Sequence, residues 1–224
     1  MPLSATAEAS VGGDFYEALV TPWGARFVVG DMRGKGLEAV RLASVLLGEF
    51  RSRAVTEADL ADVVSRVDAA ARDAGAVEDF ATAIFAQATG DGLTAVRCGH
   101  PQPLWSHSDG HVTQLDLPGT LPLGLGACGT VATPVPLQKG QRILLYSDGA
   151  IETRDACGRY FDLAASFQRA LPLDADAAVQ QVLDDLGRHA GGVIGDDVVL
   201  VLAEPCHPGA PDTQLPQLKE DSWP

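Results

Sequence analysis

The chain reads as an α+β sandwich built mainly of antiparallel sheet. The first reason is the order of periodicities along its 224 residues: strands, two helices, strands, two helices, strand. The second is that short apolar runs are divided by turn signals, of which Asp109–Gly110 between two short strands is a strong hairpin mark. Hairpins join antiparallel neighbours, which favours a layered sandwich over a doubly wound parallel sheet.

The first ten residues show no clear periodicity. Residues 15–20 (FYEALV) and 25–32 (ARFVVGDM) read as strands around a TPWG turn, where Pro22 and Gly24 supply the turn chemistry. Leu37, Val40, Ala43, Leu47 and Phe50 recur at helical spacing and predict a helix over about 36–53. A second helix is predicted over about 57–74, with Leu60, Val63, Val64 and Val67 as its apolar stripe. Thr56 and Asp59 are spaced as in a capping box, and Gly75 is a stop. Strands are predicted at 80–88, 93–99, 103–108 and 111–116, and 118–136 reads as loop with short strand potential. RILLYS (142–147) has the composition of a buried strand. Helices are expected over about 161–170 and 174–190, the second capped at Asp174, and VVLVLAE (198–204) is the last strand. Beyond Pro205 the chain is proline-rich and without periodicity, so one domain over 1–204 and a disordered tail over 205–224 are expected.

Composition narrows the function. Thirty acids against 16 bases leave a formal charge of −14, which disfavours a nucleic-acid partner. The N-terminus has neither a basic region nor an apolar core of a signal peptide, and no apolar run is long enough to span a bilayer. Cys98, Cys128, Cys157 and Cys206 are widely separated and form no CxxC pair, so zinc is disfavoured. A soluble cytoplasmic protein with reduced thiols and no membrane partner is expected.

Four aspartates stand beside strand-like runs: Asp14 in GGDFYE, Asp31 in VVGDMRGKG, Asp148 in LLYSDGAIET and Asp196 in GDDVVLVL. Carboxylates delivered by strand ends can converge, and converging carboxylates call for a hard divalent cation held by oxygen. Asp197 is an alternative to Asp196, since alternation along a strand turns only one of the two toward a given site. Gly34-Lys35-Gly36 resembles the end of a phosphate loop but lacks the upstream glycine and the following Ser/Thr, so a nucleotide site is rejected. His100 precedes a proline in a turn and has no nucleophile motif beside it, which reads as structural.

Taken together, VGGDFYE (11–17), VVGDMRGKGLEAV (28–40), FATAIFA (80–86), RCGHPQPLW (97–105), LPLGLG (121–126), LLYSDGAIETRDACGRYF (144–161) and GDDVVLVL (195–202) resemble the bacterial SpoIIE-type branch of the metal-dependent (PPM, type-2C) serine/threonine protein phosphatases. The resemblance implies an αββα sandwich of two mainly antiparallel sheets flanked by helix pairs, with two divalent cations, Mn²⁺ or Mg²⁺, at one edge between the sheets. It carries the ligand role onto Asp14 and Asp31 as bridging or shared ligands, onto Asp148 and Asp196 (or Asp197), and onto the backbone carbonyl of Met32. Family members carry a full strand before GGD; only MPLSATAEAS stands here, so a shortened N-terminal strand is expected.

The implied activity is hydrolysis of phosphoserine or phosphothreonine by a water that two cations acidify. Eukaryotic relatives place a histidine two residues after the second aspartate, where this chain has Arg33. Arg33 and Lys35 either help hold phosphate or belong to a solvated loop; the sequence leaves both readings open. The resemblance further implies a phosphorylated anti-anti-sigma (STAS) protein as substrate, and a helix pair over 36–74 that acts as a switch at a homodimer interface. Two other readings remain at this stage, a pseudophosphatase docking module and a small-molecule phosphoester hydrolase.

Overall fold

The computed structural model describes residues 3–9, 13–34, 36–75, 79–89, 92–126, 130–192 and 194–205. In chain order its elements are β1 (Leu3–Ala9), β2 (Asp14–Thr21), β3 (Gly24–Met32), α1 (Leu37–Ala54), α2 (Leu60–Ala74), β4 (Ala81–Thr89), β5 (Gly92–Cys98), β6 (Leu104–Ser106), β7 (Val112–Gln114), β8 (Gly119–Thr120), β9 (Thr133–Pro136), β10 (Arg142–Tyr146), α3 (Gly149–Glu152), α4 (Leu163–Ala170), α5 (Ala175–His189) and β11 (Val199–Pro205). One sheet has the order β1-β11-β10-β6-β7; the other runs β2-β3-β4-β5-β8, with β9 also paired to β5. The described pairings are antiparallel except β5 with β8. The expected α+β sandwich is therefore the observed one. No described helix is long and apolar enough to cross a membrane.

Alternation along the strands builds three apolar layers. Phe27 and Val29 of β3 and Ile84 of β4 face Ile143 and Leu145 of β10 and Val201 of β11, forming the core between the sheets. Val28 and Phe85 point the other way, onto Leu42, Leu46 and Phe50 of α1 and Val63 and Val67 of α2. On the opposite outer face, Leu144, Leu200 and Leu202 pack against Phe167 of α4 and Val179, Val182 and Leu186 of α5. This is an αββα stack, and it leaves one edge of the sandwich where β2, β3 and β10 end together.

Four local expectations change. The buried face of α1 carries Ala39, Leu42, Ala43, Leu46 and Phe50, while Leu37 and Val40 of the expected stripe are exposed. Both sets fit a 3.6-residue period, and packing on the sheet selects between them. Helix α2 starts at Asp59, whose side chain accepts from the Ala61 amide at 2.8 Å; Thr56 instead donates to the Ser52 carbonyl at the end of α1. The short helix α3, directly after Asp148, was not anticipated. Residues 3–9 form β1, a seven-residue strand paired to β11 from Leu3–Pro205 to Ala9–Val199. Its alternation of Leu3, Ala5, Ala7 and Ala9 with Ser4, Thr6 and Glu8 is present in the sequence, but three alanines weigh little as an apolar signal. Asp162 and Asp174 cap α4 and α5 through the amides of Ala165 and Ala177. The expected tail beyond Pro205 lies outside the described residues.

The fully buried Arg26 of β3 fastens the α1–α2 pair to the sheet. Its guanidinium donates to the carbonyls of Ala54 (2.9 Å), Glu57 (2.6 Å) and Ala58 (2.5 Å) and to the Gln87 side chain (2.8 Å). These carbonyls include that of the buried Ala54 at the end of α1, so one buried cation completes a helix terminus that would otherwise lack a donor.

Candidate metal centre

Asp14 opens β2, Asp31 is the penultimate residue of β3, and the hairpin register places them opposite one another. Asp148 arrives from the other sheet, two residues beyond the end of β10 and at the start of α3. Carboxylate oxygens of Asp14, Asp31 and Asp148 lie within 4.8 Å of each other. Asp148, more than a hundred positions along the chain from Asp14 and Asp31, thus meets them where the edges of the two sheets come together.

Backbone and hydroxyl contacts hold this geometry. The Ser147 amide donates to the Val199 carbonyl (3.0 Å), its hydroxyl oxygen accepts from the Val199 amide (2.9 Å), and the same side chain hydrogen-bonds Asp14. A hydroxyl has one donor and two acceptor positions, so Ser147 serves both its own sheet and the facing one. The sequence places Ser147 only at the end of the buried run RILLYS, and its role becomes visible only when the sheets are stacked. Gly13 is clamped on both sides: its amide donates to Asp197 (3.1 Å), and its carbonyl accepts from the Met32 amide (3.1 Å). A Cβ at Gly13 would sit 3.3 Å from Asp31 Oδ1, 3.3 Å from the Gly34 carbonyl oxygen and 3.4 Å from that of Met32. Glycine therefore leaves open a small cradle of oxygens, among them the Met32 carbonyl singled out in the sequence.

The electrostatics are those of crowded acids. Burial, reinforced by the charges of Asp31 and Asp148, pushes the Asp14 carboxyl up to about 8 against the hydrogen bond from Ser147. Burial and then the charge of Asp148 raise Asp31 to about 6, and the Asp31 and Asp14 carboxyls share a hydrogen bond. Asp148 is also raised, by burial and then by Glu152 and Asp196. Oδ2 of Asp14 is buried and has no hydrogen-bond partner among the described residues. Three carboxylates that meet at one point, one of them with an unpartnered buried oxygen, are a hard, all-oxygen donor set of the kind that fits Mg²⁺ or Mn²⁺.

The other predicted residues divide. Asp196 is exposed and outside the three-carboxylate group; its carboxylate accepts from the Asp197 amide at 3.0 Å, and its charge acts on Asp31 and Asp148. Asp197, the alternative, spends a carboxylate oxygen on Gly13. Arg33 is exposed beside the centre, its guanidinium carbon 5.3 Å from the centroid of the Phe80 ring and its amide bonded to the Phe80 carbonyl at 3.0 Å. Lys35 lies outside the described residues.

Known proteins share this architecture. The family described as Stage II sporulation protein E (SpoIIE) matches residues 21–205. The chain is similar to the RsbU and RsbW domains of Rv1364c from Mycobacterium tuberculosis, at 25% identity and a TM-score of 0.80 over 90% of this chain and 59% of that one. It therefore spans little more than half the length of that relative. The SiaA-PP2C domain of Pseudomonas aeruginosa shares the fold at 18% identity and a TM-score of 0.74, over 91% of this chain and 85% of that one. The catalytic domain of the serine/threonine phosphatase PstP, in a complex with two manganese ions, does so at 17% identity and a TM-score of 0.65, over 90% and 97%. The chain belongs to the SpoIIE family, and its fold is that of the PP2C-type (PPM) serine/threonine phosphatases.

Proposed function

We propose that this chain is a metal-dependent phosphatase of phosphoserine and phosphothreonine proteins. The observation that carries the reading is the convergence of Asp14, Asp31 and Asp148 on one point, with the buried Asp14 oxygen left unpartnered. On this reading Asp14, Asp31, Asp148, Asp196 and the Met32 carbonyl hold two divalent cations, Mn²⁺ or Mg²⁺, and the domain runs over 1–204. Such cations, when bound, supply an acidified water and offset the charge of a phosphoryl group.

The chain's own residues prepare the site. Proton release from the Asp14–Asp31 pair makes both carboxylates full oxygen donors, so cation binding and proton loss are linked. Ser147 orients Asp14, and Gly13 keeps the space beside the Met32 carbonyl clear. Arg33, stacked over Phe80, offers a planar cation next to the carboxylates and suits a phosphate oxygen pair. The substrate on this reading is a phosphorylated STAS protein of the anti-anti-sigma type. The family membership and the similarity to a chain that carries an RsbU domain support that assignment.

The test is steady-state hydrolysis of p-nitrophenyl phosphate and of a phosphorylated STAS protein with Mn²⁺, alongside Asp148→Asn. Turnover that requires Mn²⁺ and collapses in the variant is expected. Undiminished turnover in Asp148→Asn would sink the proposed mechanism, and no turnover on any phosphoprotein by the intact chain would favour a docking module.

A further inference from the structure

The geometry points to His100 as a positioning residue for the metal centre, a brace that ties β4, the neighbour of the strand bearing Asp31, to β10, the strand that leads into Asp148. The inference rests on the metal-centre reading above and adds a residue to it.

His100 is buried between the sheets. Its Nε2 lies 3.0 Å from the Tyr146 carbonyl oxygen and its Nδ1 3.0 Å from Thr82 Oγ1. A carbonyl only accepts, so the proton sits on Nε2, and Nδ1 accepts from the Thr82 hydroxyl. Both partners sit next to a carboxylate of the centre. Thr82 of β4 is the register partner of Asp31 on β3. Tyr146 is the last residue of β10, two before Asp148. Asp31 and Asp148 belong to different sheets, which are joined across this gap by side chains rather than by a backbone ladder. One imidazole with a hydrogen bond on each nitrogen therefore sets the spacing between the two strand ends.

The local backbone is built to present the ring. Gly99 turns the chain at φ 64°, where a Cβ would also press on the Pro122 ring, and its amide donates to the Thr120 carbonyl at 3.0 Å. The His100 carbonyl accepts from Arg97 at 2.9 Å, and Arg97 also donates to the Leu117 carbonyl. Burial lowers the imidazole to about 4, so the ring stays neutral and keeps one donor and one acceptor across ordinary pH. A residue that only filled the core would need neither polar contact.

The experiment measures Mn²⁺ binding by calorimetry and the thermal midpoint of the metal-free full chain, for the wild type and for Thr82→Val, His100→Asn, His100→Gln and the Thr82→Val/His100→Asn pair. Valine keeps the shape of threonine without its hydroxyl; asparagine retains a group near Nδ1, and glutamine one near Nε2. Each single variant is expected to weaken Mn²⁺ binding roughly tenfold, the range typical of residues that orient metal ligands. The metal-free midpoint of Thr82→Val should stay close to wild type, and the double variant should bind no more weakly than His100→Asn. Wild-type Mn²⁺ affinity in Thr82→Val and His100→Gln would overturn the brace while leaving the metal centre standing. Failure of the wild type itself to bind Mn²⁺ would remove the metal centre, and the brace with it. Should the His100 variants not fold, Thr82→Val decides alone.

Discussion

The amide of Gly13 donates to the carboxylate of Asp197 at 3.1 Å, joining residues 184 positions apart. That bond fixes the residue before Asp14 against the residue after Asp196. Gly149, next to Asp148, is packed so tightly on the Asp197 carbonyl oxygen that a Cβ there would collide with it. Asp197 is thus a reference point for two of the clustered carboxylates, and its neighbour Asp196 keeps its exposed position. Asp197→Asn, which retains an acceptor oxygen, should raise the Mn²⁺ concentration for half-maximal turnover by no more than about tenfold. Asp196→Asn should raise it further. A Mn²⁺ titration of phosphatase rate compares the two, and the reverse order would assign the ligand role to Asp197.

The crowded carboxylates make the metal-free centre a liability. Asp14 has a folded-state value of about 8, above its ordinary 3.8. A raised value contributes stability that is complete below about pH 4 and is lost as pH rises toward 8. Asp14→Asn should therefore melt several degrees above wild type in chelator at pH 8, with the difference vanishing near pH 4. The same substitution should abolish Mn²⁺-dependent turnover. Thermal melts with EDTA at the two pH values check the sign.

Space at Gly13 is as tight as its hydrogen bonding. Gly13→Ala places a methyl against three oxygens at 3.3 to 3.4 Å. The expected result is weaker Mn²⁺ binding with a loss of stability below about 1.5 kcal/mol, since the neighbours need to yield only slightly. Isothermal titration and urea denaturation separate the two effects.

Arg26 holds α1 and α2 through carbonyls rather than through a carboxylate partner. Arg26→Met should cost about 3 kcal/mol, because the buried Ala54 carbonyl and that of half-buried Glu57 lose their donor. The midpoint of urea unfolding measures it.

His100 gives a pH dependence of the opposite sign to Asp14. Its folded value of about 4 lies below the ordinary 6.5. The stability it protects is present above pH 6.5 and is lost as pH falls toward 4, by about 3 kcal/mol in all. His100→Gln should flatten this part of the acid limb. Unfolding free energies of the wild type and the variant, compared at pH 7 and pH 4.5, test it.

Much of the architecture was legible along the chain. The stripe of Leu60, Val63, Val64 and Val67 is buried as its spacing implies, and Asp174 caps the helix it precedes. Asp14, Asp31 and Asp148 could be picked out because each stands at one end of a strand-like run. Other features gave weaker signals. The face of α1 depended on which of two helical stripes met the sheet, and β1 hid its alternation in alanines.

Local chemistry, written in residue type and period, determined most of the elements, the family and the candidate oxygen donors. Only the stacking of the two sheets decided which donors meet, that Ser147 and His100 span the gap, and that Asp197 is tied to Gly13. Those relationships are side-chain contacts between segments up to 184 residues apart. No periodicity encodes them, because they exist only once burial has brought the strand ends to one edge.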